Sequence, residues 1–565
     1  MLDRSQWDDH ALSMNTLNLD ALAIVWFKRD LRIRDHAPLA AAASFERSIG
    51  LFLIEPDWLR SAECDERHVA YLLASLRSLR IDLAARGLPF CVLVGSVCEA
   101  LEFLRVQAGR VALLSHEETG SGWSYQRDRD VRRWCSLHAV PWHEWTQTGV
   151  VRRLKSRRGW ASQWAQRMNQ PLAGSLKVRF SAASILEGSP ALRALAETPI
   201  PTLSELGFQT PSASWVEALE VNAGERAASV RLHQFLNGGA VGYRRALSSP
   251  LSAEEGCSRL SVYLAFGNLS MRTVHQATEA RIAECGHTGD AELARGLRGF
   301  ASRLRWHCHF MQKLEDEPSI EFQNFSRAHD GLRPGDGNAL DDDSERRLQA
   351  WAEGQTGYPM VDACMRSLCA TGWINFRMRA MLVSFASYHL WLHWRQTGLH
   401  LARQFLDFEP GIHWSQMQMQ SGTTAINTLR IYSPTKQAQD QDPEGIFIRR
   451  WVPELARVPL EFLAQPWQMN EAQQRSAACV IGRDYPEPIV VEKTALAQAK
   501  VVLYGLRKAP HAQVEADAIA QRHGSRKSGL PPSGPSSSVR KPSSRRPSSQ
   551  RSVEPPSGQQ LELFD

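Results

Sequence analysis

The chain has little charge of one sign. Its 565 residues carry 66 Lys and Arg against 60 Asp and Glu, a formal net charge of +6. That lean permits a nucleic-acid partner without arguing for one, because a basic surface matters only where it is clustered. A disulfide framework is also missing: 10 cysteines scattered over this length read as reduced cytosolic thiols. No uninterrupted apolar run reaches membrane-spanning length, which excludes a spanning helix and a membrane partner. The opening MLDRSQWDDHALSMN is polar and acidic and lacks the apolar core of a signal peptide, so a cytoplasmic protein is expected. Neither GxGxxG nor a Walker A loop is present, and no standard dinucleotide or nucleoside triphosphate site follows. Cys308 lies between His307 and His309, but successive helical positions do not share a face, so no metal site is expected there.

What is present is long enough for two or more cores, with 43% hydrophobic and 22% charged residues, ordinary for a globular protein. After an extension over 1–21, residues 22–150 alternate short apolar runs with amphipathic stretches. ALAIVWF, SIGLFLI, PFCVLVG and RVALLSH read as buried parallel strands. ERHVAYLLASLRSLRIDLAARG reads as an amphipathic helix ending at Gly87. This alternation predicts a doubly wound α/β domain. Residues 151–225 read as a linker with short helices wrapping the surface. Residues 226–522 are dominated by helical patterns, rich in tryptophan, and form an all-α domain. Residues 523–565 are rich in Ser, Pro, Arg and Lys and cannot bury enough surface to offset chain entropy, so a disordered tail is expected.

The most informative stretch is Trp351 to Leu455. Arg377 and Arg379 follow Trp373, and Asp407 and Glu409 come some way on. Paired arginines and paired carboxylates among tryptophans point to a polar ligand held between helices. The words WAEGQTGYPMVDACMR, TGW, RMR and DPEGIFIRRWVPEL resemble the flavin-binding domain of the photolyase/cryptochrome family. WFKRDLRIRDHAPLAAA, Trp26 to Ala42, is a second match, and the resemblance covers roughly residues 22 to 520.

The resemblance implies FAD as cofactor. Tyr243 and the loop CSRLS, with Ser258, Arg259, Leu260 and Ser261, stand where the family cradles phosphate; serines and free N–H groups at a helix start suit that task. The blander reading of such a serine is a helix cap. Arg379 with Asp407 and Glu409 would hold the isoalloxazine ring; the lesser alternative, compatible with it, is a buried ion pair joining two helices. His413 stands near the place facing the flavin's reactive nitrogen, where it would tune protonation near neutral pH. Trp306 would stack on a flipped base, with Arg377 beside it as a catalytic-pocket and DNA-face residue. Gln437 and Lys436 would also lie on the DNA face. Trp394 matches a member of the family's electron route, with Trp351 nearby and Trp414 as a substitute link. The N-terminal domain, with Arg32, Asp35 and His36 after its first strand, is similar to the family's antenna domain, which can carry a folate or a deazaflavin.

The chain also departs from the family. Arg303 stands in place of the lesion-binding glutamate, His307 in place of an arginine, and Phe376 in place of an asparagine. The histidine pair of a (6-4) photolyase is replaced by Phe376 and Ala380. One branch carries an iron–sulfur cluster on four cysteines; Cys308, Cys364, Cys369 and Cys479 lack a close CxxC pair, so no cluster is expected. At the far end QLELF, with Gln560, Leu561, Leu563 and Phe564, is similar to the peptide that binds the bacterial sliding clamp, a motif suited to an apolar groove. A tail that docks on its own domain is the alternative. The resemblance implies a light-driven lyase that repairs pyrimidine dimers in damaged DNA, the cyclobutane dimer before the (6-4) product. A cryptochrome-type blue-light receptor and a lesion-marking flavoprotein are the competing expectations.

Overall fold

A computed structural model describes residues 19–173, 179–180, 189–209 and 213–524. The predicted tail and the clamp-like residues Gln560, Leu561, Leu563 and Phe564 lie outside the described residues.

Four of the five strands fall on the runs named above: β1 Leu22–Phe27, β2 Arg47–Ile54, β3 Phe90–Val94 and β4 Val111–His116. The fifth, β5 Trp142–Trp145, has no such run. Its residues, WHEW, are all half-buried, so no apolar stretch betrays it; it is an edge strand held by β4. All pairings are parallel and the strand order is β3-β2-β1-β4-β5. The order reverses between β1 and β4, the place where such sheets bind ligands.

The pleat sorts β1 onto two cores. Leu22, Ile24 and Trp26 face the helices Val97–Ala108 and Gly122–Leu137. Ala23, Val25 and Phe27 face the helix Glu66–Ala84, capped by Asp65. That second core continues without a break into the helical half, through Phe235, Tyr243, Leu260, Phe300 and Leu304. A separate core surrounds Trp351, Met365, Trp394 and Trp414.

The segment expected to wrap the surface does more than that. Its helix Trp160–Met168 buries Trp160, Trp164 and Met168. The Trp160 indole donates to Gln312 Oε1 at 3.1 Å, and Gln312 in turn brackets the backbone of Val151. This ties the linker to the 26-residue helix Ala291–Asp316, the axis on which the helical half is organised.

The motif words mostly build scaffold. Asp362 of VDAC is fully buried and accepts from Thr356 N, Thr356 Oγ1, Gly357 N and Tyr485 Oη at 2.5–3.1 Å. Gly357 has φ +78°, and a Cβ there would lie 2.3 Å from the Glu487 carbonyl oxygen. Asp442 of DPEG accepts from the amides of Phe447 and Ile448, fastening the start of the Ile446–Trp451 helix.

Candidate functional site

The loop Cys257–Ser261 sits where several cations converge. Arg231 donates from Nε to the Ser258 carbonyl at 2.9 Å and from Nη2 to the Cys257 carbonyl at 2.7 Å. Arg259 adopts the left-handed backbone, φ +57°, a cost for a non-glycine residue. Its guanidinium lies 3.9 Å over the Trp373 ring. Ser261 opens a short helix, and its hydroxyl donates to Asp407. Tyr243 is buried against Phe235 and Phe300, with its hydroxyl bonded to Arg303.

Arg379 and Asp407 form a bidentate pair, Nη1 to Oδ1 at 3.0 Å and Nη2 to Oδ2 at 2.8 Å. Arg379 Nε also donates to the Ile374 carbonyl, and the guanidinium stacks 4.0 Å over Phe405. Burial would raise the Asp407 pKa, but the Arg379 charge together with the hydrogen bonds from Arg379 and Ser261 outweighs it and holds the carboxyl below its usual range.

Glu409 does not join this pair. Its Oε2 meets His307 Nε2 at 2.8 Å. Burial alone would lower the imidazole's pKa; the Glu409 carboxylate and the neighbouring Cys308 sulfur together outweigh it and push it up to about 10. His307 is therefore an imidazolium at neutral pH, and its Nδ1 is buried with no partner. His413 behaves oppositely. Burial pushes it down to about 3, and its Nε2–H donates to the Gly398 carbonyl at 2.9 Å. It is a neutral ring, so the expectation that it titrates near neutral pH is corrected: the Asp407 charge is too weak there to offset burial.

Trp394 and Trp414 are neighbours, with ring centroids 5.9 Å apart. Arg395 lies 4.1 Å over Trp414, and the Trp394 indole donates to Asn324 Oδ1. Trp351 is buried elsewhere in the same core, edge-on to His400. Trp306 is half-buried, packed against His309 and Phe310. Arg377 is half-buried with Nε unpartnered. Gln437, expected on a DNA face, is 2% exposed and turned inward. Its neighbour Lys436 is the exposed cation there, since a helix sends adjacent residues to different faces.

Comparison with known proteins decides the family. The deoxyribodipyrimidine photo-lyase of Escherichia coli is 30% identical over 515 residues, which cover 86% of this chain and 99% of that one. The chain belongs to the photolyase/cryptochrome family. The pattern of the FAD binding domain of DNA photolyase matches residues 300–503, and that of DNA photolyase matches residues 23–156. Cryptochrome DASH of Natronomonas pharaonis is 27% identical over 482 residues, 83% of this chain and 98% of that one. Among solved structures, a class III photolyase from Agrobacterium tumefaciens superimposes with a TM-score of 0.74 at 23% identity, covering 89% of this chain and all of that one.

The chain thus carries the photolyase-type FAD-binding domain, and its residues fit the cofactor. Arg231, Arg259 and Arg379 all act electrostatically on Cys257, yet burial still pushes that thiol up to about 11, so it stays neutral. A loop ringed by three guanidiniums, with Asp407 engaged by Arg379, retains positive charge for a diphosphate.

The antenna residues behave as braces. Arg32 is 1% exposed and donates to the carbonyls of Arg34, Asp35 and Gly267. Asp35 is gripped by Arg272, Ser270 and the Ala173 amide. His36 Nδ1 accepts from the Leu39 amide, which places its proton on Nε2, facing Asp30 at 3.0 Å; His116 Nδ1 meets the same carboxylate at 2.8 Å. These three groups lie close enough to suggest a metal, but His36 would have to become an imidazolate to bind one. A cavity bordered by Arg29, Glu118, Gln147, Met271, His307 and Glu409 lies between the two halves. The His307–Glu409 pair on its wall is not legible as a pair from the sequence, where the one signal is a histidine at an arginine's place.

Proposed function

We propose that the protein is a light-driven DNA repair lyase, a deoxyribodipyrimidine photolyase acting on the cyclobutane dimer. The observation that carries this is the closed Arg379–Asp407 pair beside the cationic loop Cys257–Ser261. Reduced FAD, when bound, supplies the light-absorbing electron donor that opens the cyclobutane ring. Tyr243, Ser258, Arg259, Leu260 and Ser261 hold its diphosphate, and Arg379 places a cation by the ring, where it favours an anionic reduced state. Trp306 offers a half-exposed aromatic face for an extruded base; photolyases as a class are known to flip their target out of the duplex, and that step is carried over from the class. Arg377 and Lys436 meet backbone phosphates. Trp394 and Trp414, both fully buried, form the inner links of the electron route.

A second reading, a cryptochrome-type blue-light receptor, is favoured by Arg303, His307 and Phe376. An arginine bonded to Tyr243 replaces the acceptor that would take hydrogen bonds from a flipped pyrimidine, and an imidazole engaged by Glu409 stands in place of an arginine. Illumination of the reduced protein with DNA holding cyclobutane dimers or (6-4) products separates the two. Light-dependent loss of cyclobutane dimers is expected; loss of neither lesion would defeat the repair reading. The QLELF segment recruits the lyase to the replication sliding clamp. Pull-down by the clamp is expected to fail for the Leu561→Ala, Phe564→Ala chain, and equal recovery would sink that partner.

A further inference from the structure

The helix Glu492–Lys508 has an inner face that is accounted for and an outer face that is not. Inward, Ala499 and Leu503 are fully buried against Tyr388, Leu332 and Trp391. Outward, Lys493, Ala497, Lys500, Val501, Tyr504 and Lys508 are all exposed. At 100° per residue these positions fall within one stripe about 100° wide. Val501 is 75% and Tyr504 48% exposed. A single exposed valine needs no explanation, but a β-branched and an aromatic side chain on one stripe, flanked by three lysines, do. Glu492 does not neutralise the stripe, because its carboxylate is turned to Thr435.

We propose that this face is the docking site of the chain's own segment Gln560–Asp565. That segment, QLELFD, joins Leu561, Leu563 and Phe564 with Glu562 and Asp565, so apolar groups and acids match the apolar centre and basic rim of the stripe. The tether is long enough. A flexible Ser/Pro-rich chain as long as residues 525–559 has a root-mean-square span of roughly 30 Å. From His523 back to Ala509 is about 21 Å, and on to Val501 about 12 Å, by the rise of a helix. The root of the tether is fixed, since His523 meets Glu317 Oε2 at 2.6 Å and Arg522 the same carboxylate at 3.1 Å. On such a tether the effective concentration is on the order of millimolar, so a weak contact suffices for occupancy. Docking covers the apolar segment whenever no other partner holds it, and the inference stands whether or not the lesion chemistry proposed above is right.

The test uses the full chain with a photo-crosslinking benzoylphenylalanine at position 564. Crosslinks within one molecule, mapped to residues 493–508 by mass spectrometry, are the expected result. Val501→Glu with Tyr504→Glu, both on the surface, should cut their yield at least about five-fold with an unchanged melting midpoint. Lys500→Glu with Lys508→Glu should weaken them as well, as should raised salt. Absent or scattered crosslinks, a yield indifferent to Val501 and Tyr504, or crosslinks joining two molecules would overturn the proposal; the last would make a second copy the occupant.

Discussion

The cradle around Asp407 and the Trp306–His307 stretch of the helix Ala291–Asp316 are finished differently. In the cradle Arg379, Asp407, Arg231 and Tyr243 each have partners. Outside it, Arg305 Nε beside Trp164, His307 Nδ1 on the wall of the cavity between the halves, and Arg377 Nε are buried with none. An unmet buried donor costs about 1–3 kcal/mol, so the cradle is satisfied by its own residues while these three groups are not.

Breaking the cradle should have the largest effect. Asp407→Ala leaves Arg379 unpaired, and a loss of about 3–5 kcal/mol in urea unfolding is expected, with no flavin absorbance in the purified protein. Full flavin content in that variant would erase the distinction. Next comes the link between the two regions. The folded pKa of His307, about 10, lies above its unfolded value of about 6.5. Its stabilisation is therefore complete below pH 6.5 and fades as pH rises through 10. Lys313 works the other way, because burial pulls its pKa down to about 7 and its cost is greatest at low pH. The informative quantity is the difference between wild type and His307→Gln, expected to be on the order of 3 kcal/mol at pH 6 and to shrink toward pH 10.5. A constant difference would show that Glu409 does not hold the proton.

On the pocket side, Trp306→Ala should weaken binding to dimer-containing DNA by about 1–3 kcal/mol, the worth of one stacked base, and leave flavin retention intact. The smallest effect is expected from Arg377→Gln. Stability should not fall, because the unmet Nε leaves with the side chain, while the slope of DNA affinity against salt falls by about 1. An unchanged slope in a titration at several salt concentrations would place Arg377 outside the phosphate contacts.

Much of the molecule is legible without coordinates. The runs around Ile24, Leu51, Val92 and Leu113 are apolar because a parallel sheet is buried on both sides, and the strands lie on them. β5 escapes such a reading because an edge strand need not be apolar. Arg379 and Asp407 are legible as a pair from residue type. Glu409 groups with them by spacing, but its partner lies on another helix, about a hundred residues away in sequence. His413 reads as a neutral-pH switch, since sequence shows a histidine's type and not the burial that strips its proton. Gln437 reads as surface for the same reason, and the Trp160 helix as wrapping when it plugs the core.

The sequence alone determined the parallel strand pattern, the helical second half and the family words, because these rest on local periodicity and residue type. Only the tertiary structure decided which acid meets which base. It assigned Asp407 to Arg379 and Glu409 to His307, set His307 near pKa 10 and His413 near 3, and turned Val501 and Tyr504 outward. Protonation and exposure depend on the charges and burial supplied by distant segments, and those are distances in space that no local stretch of chain contains.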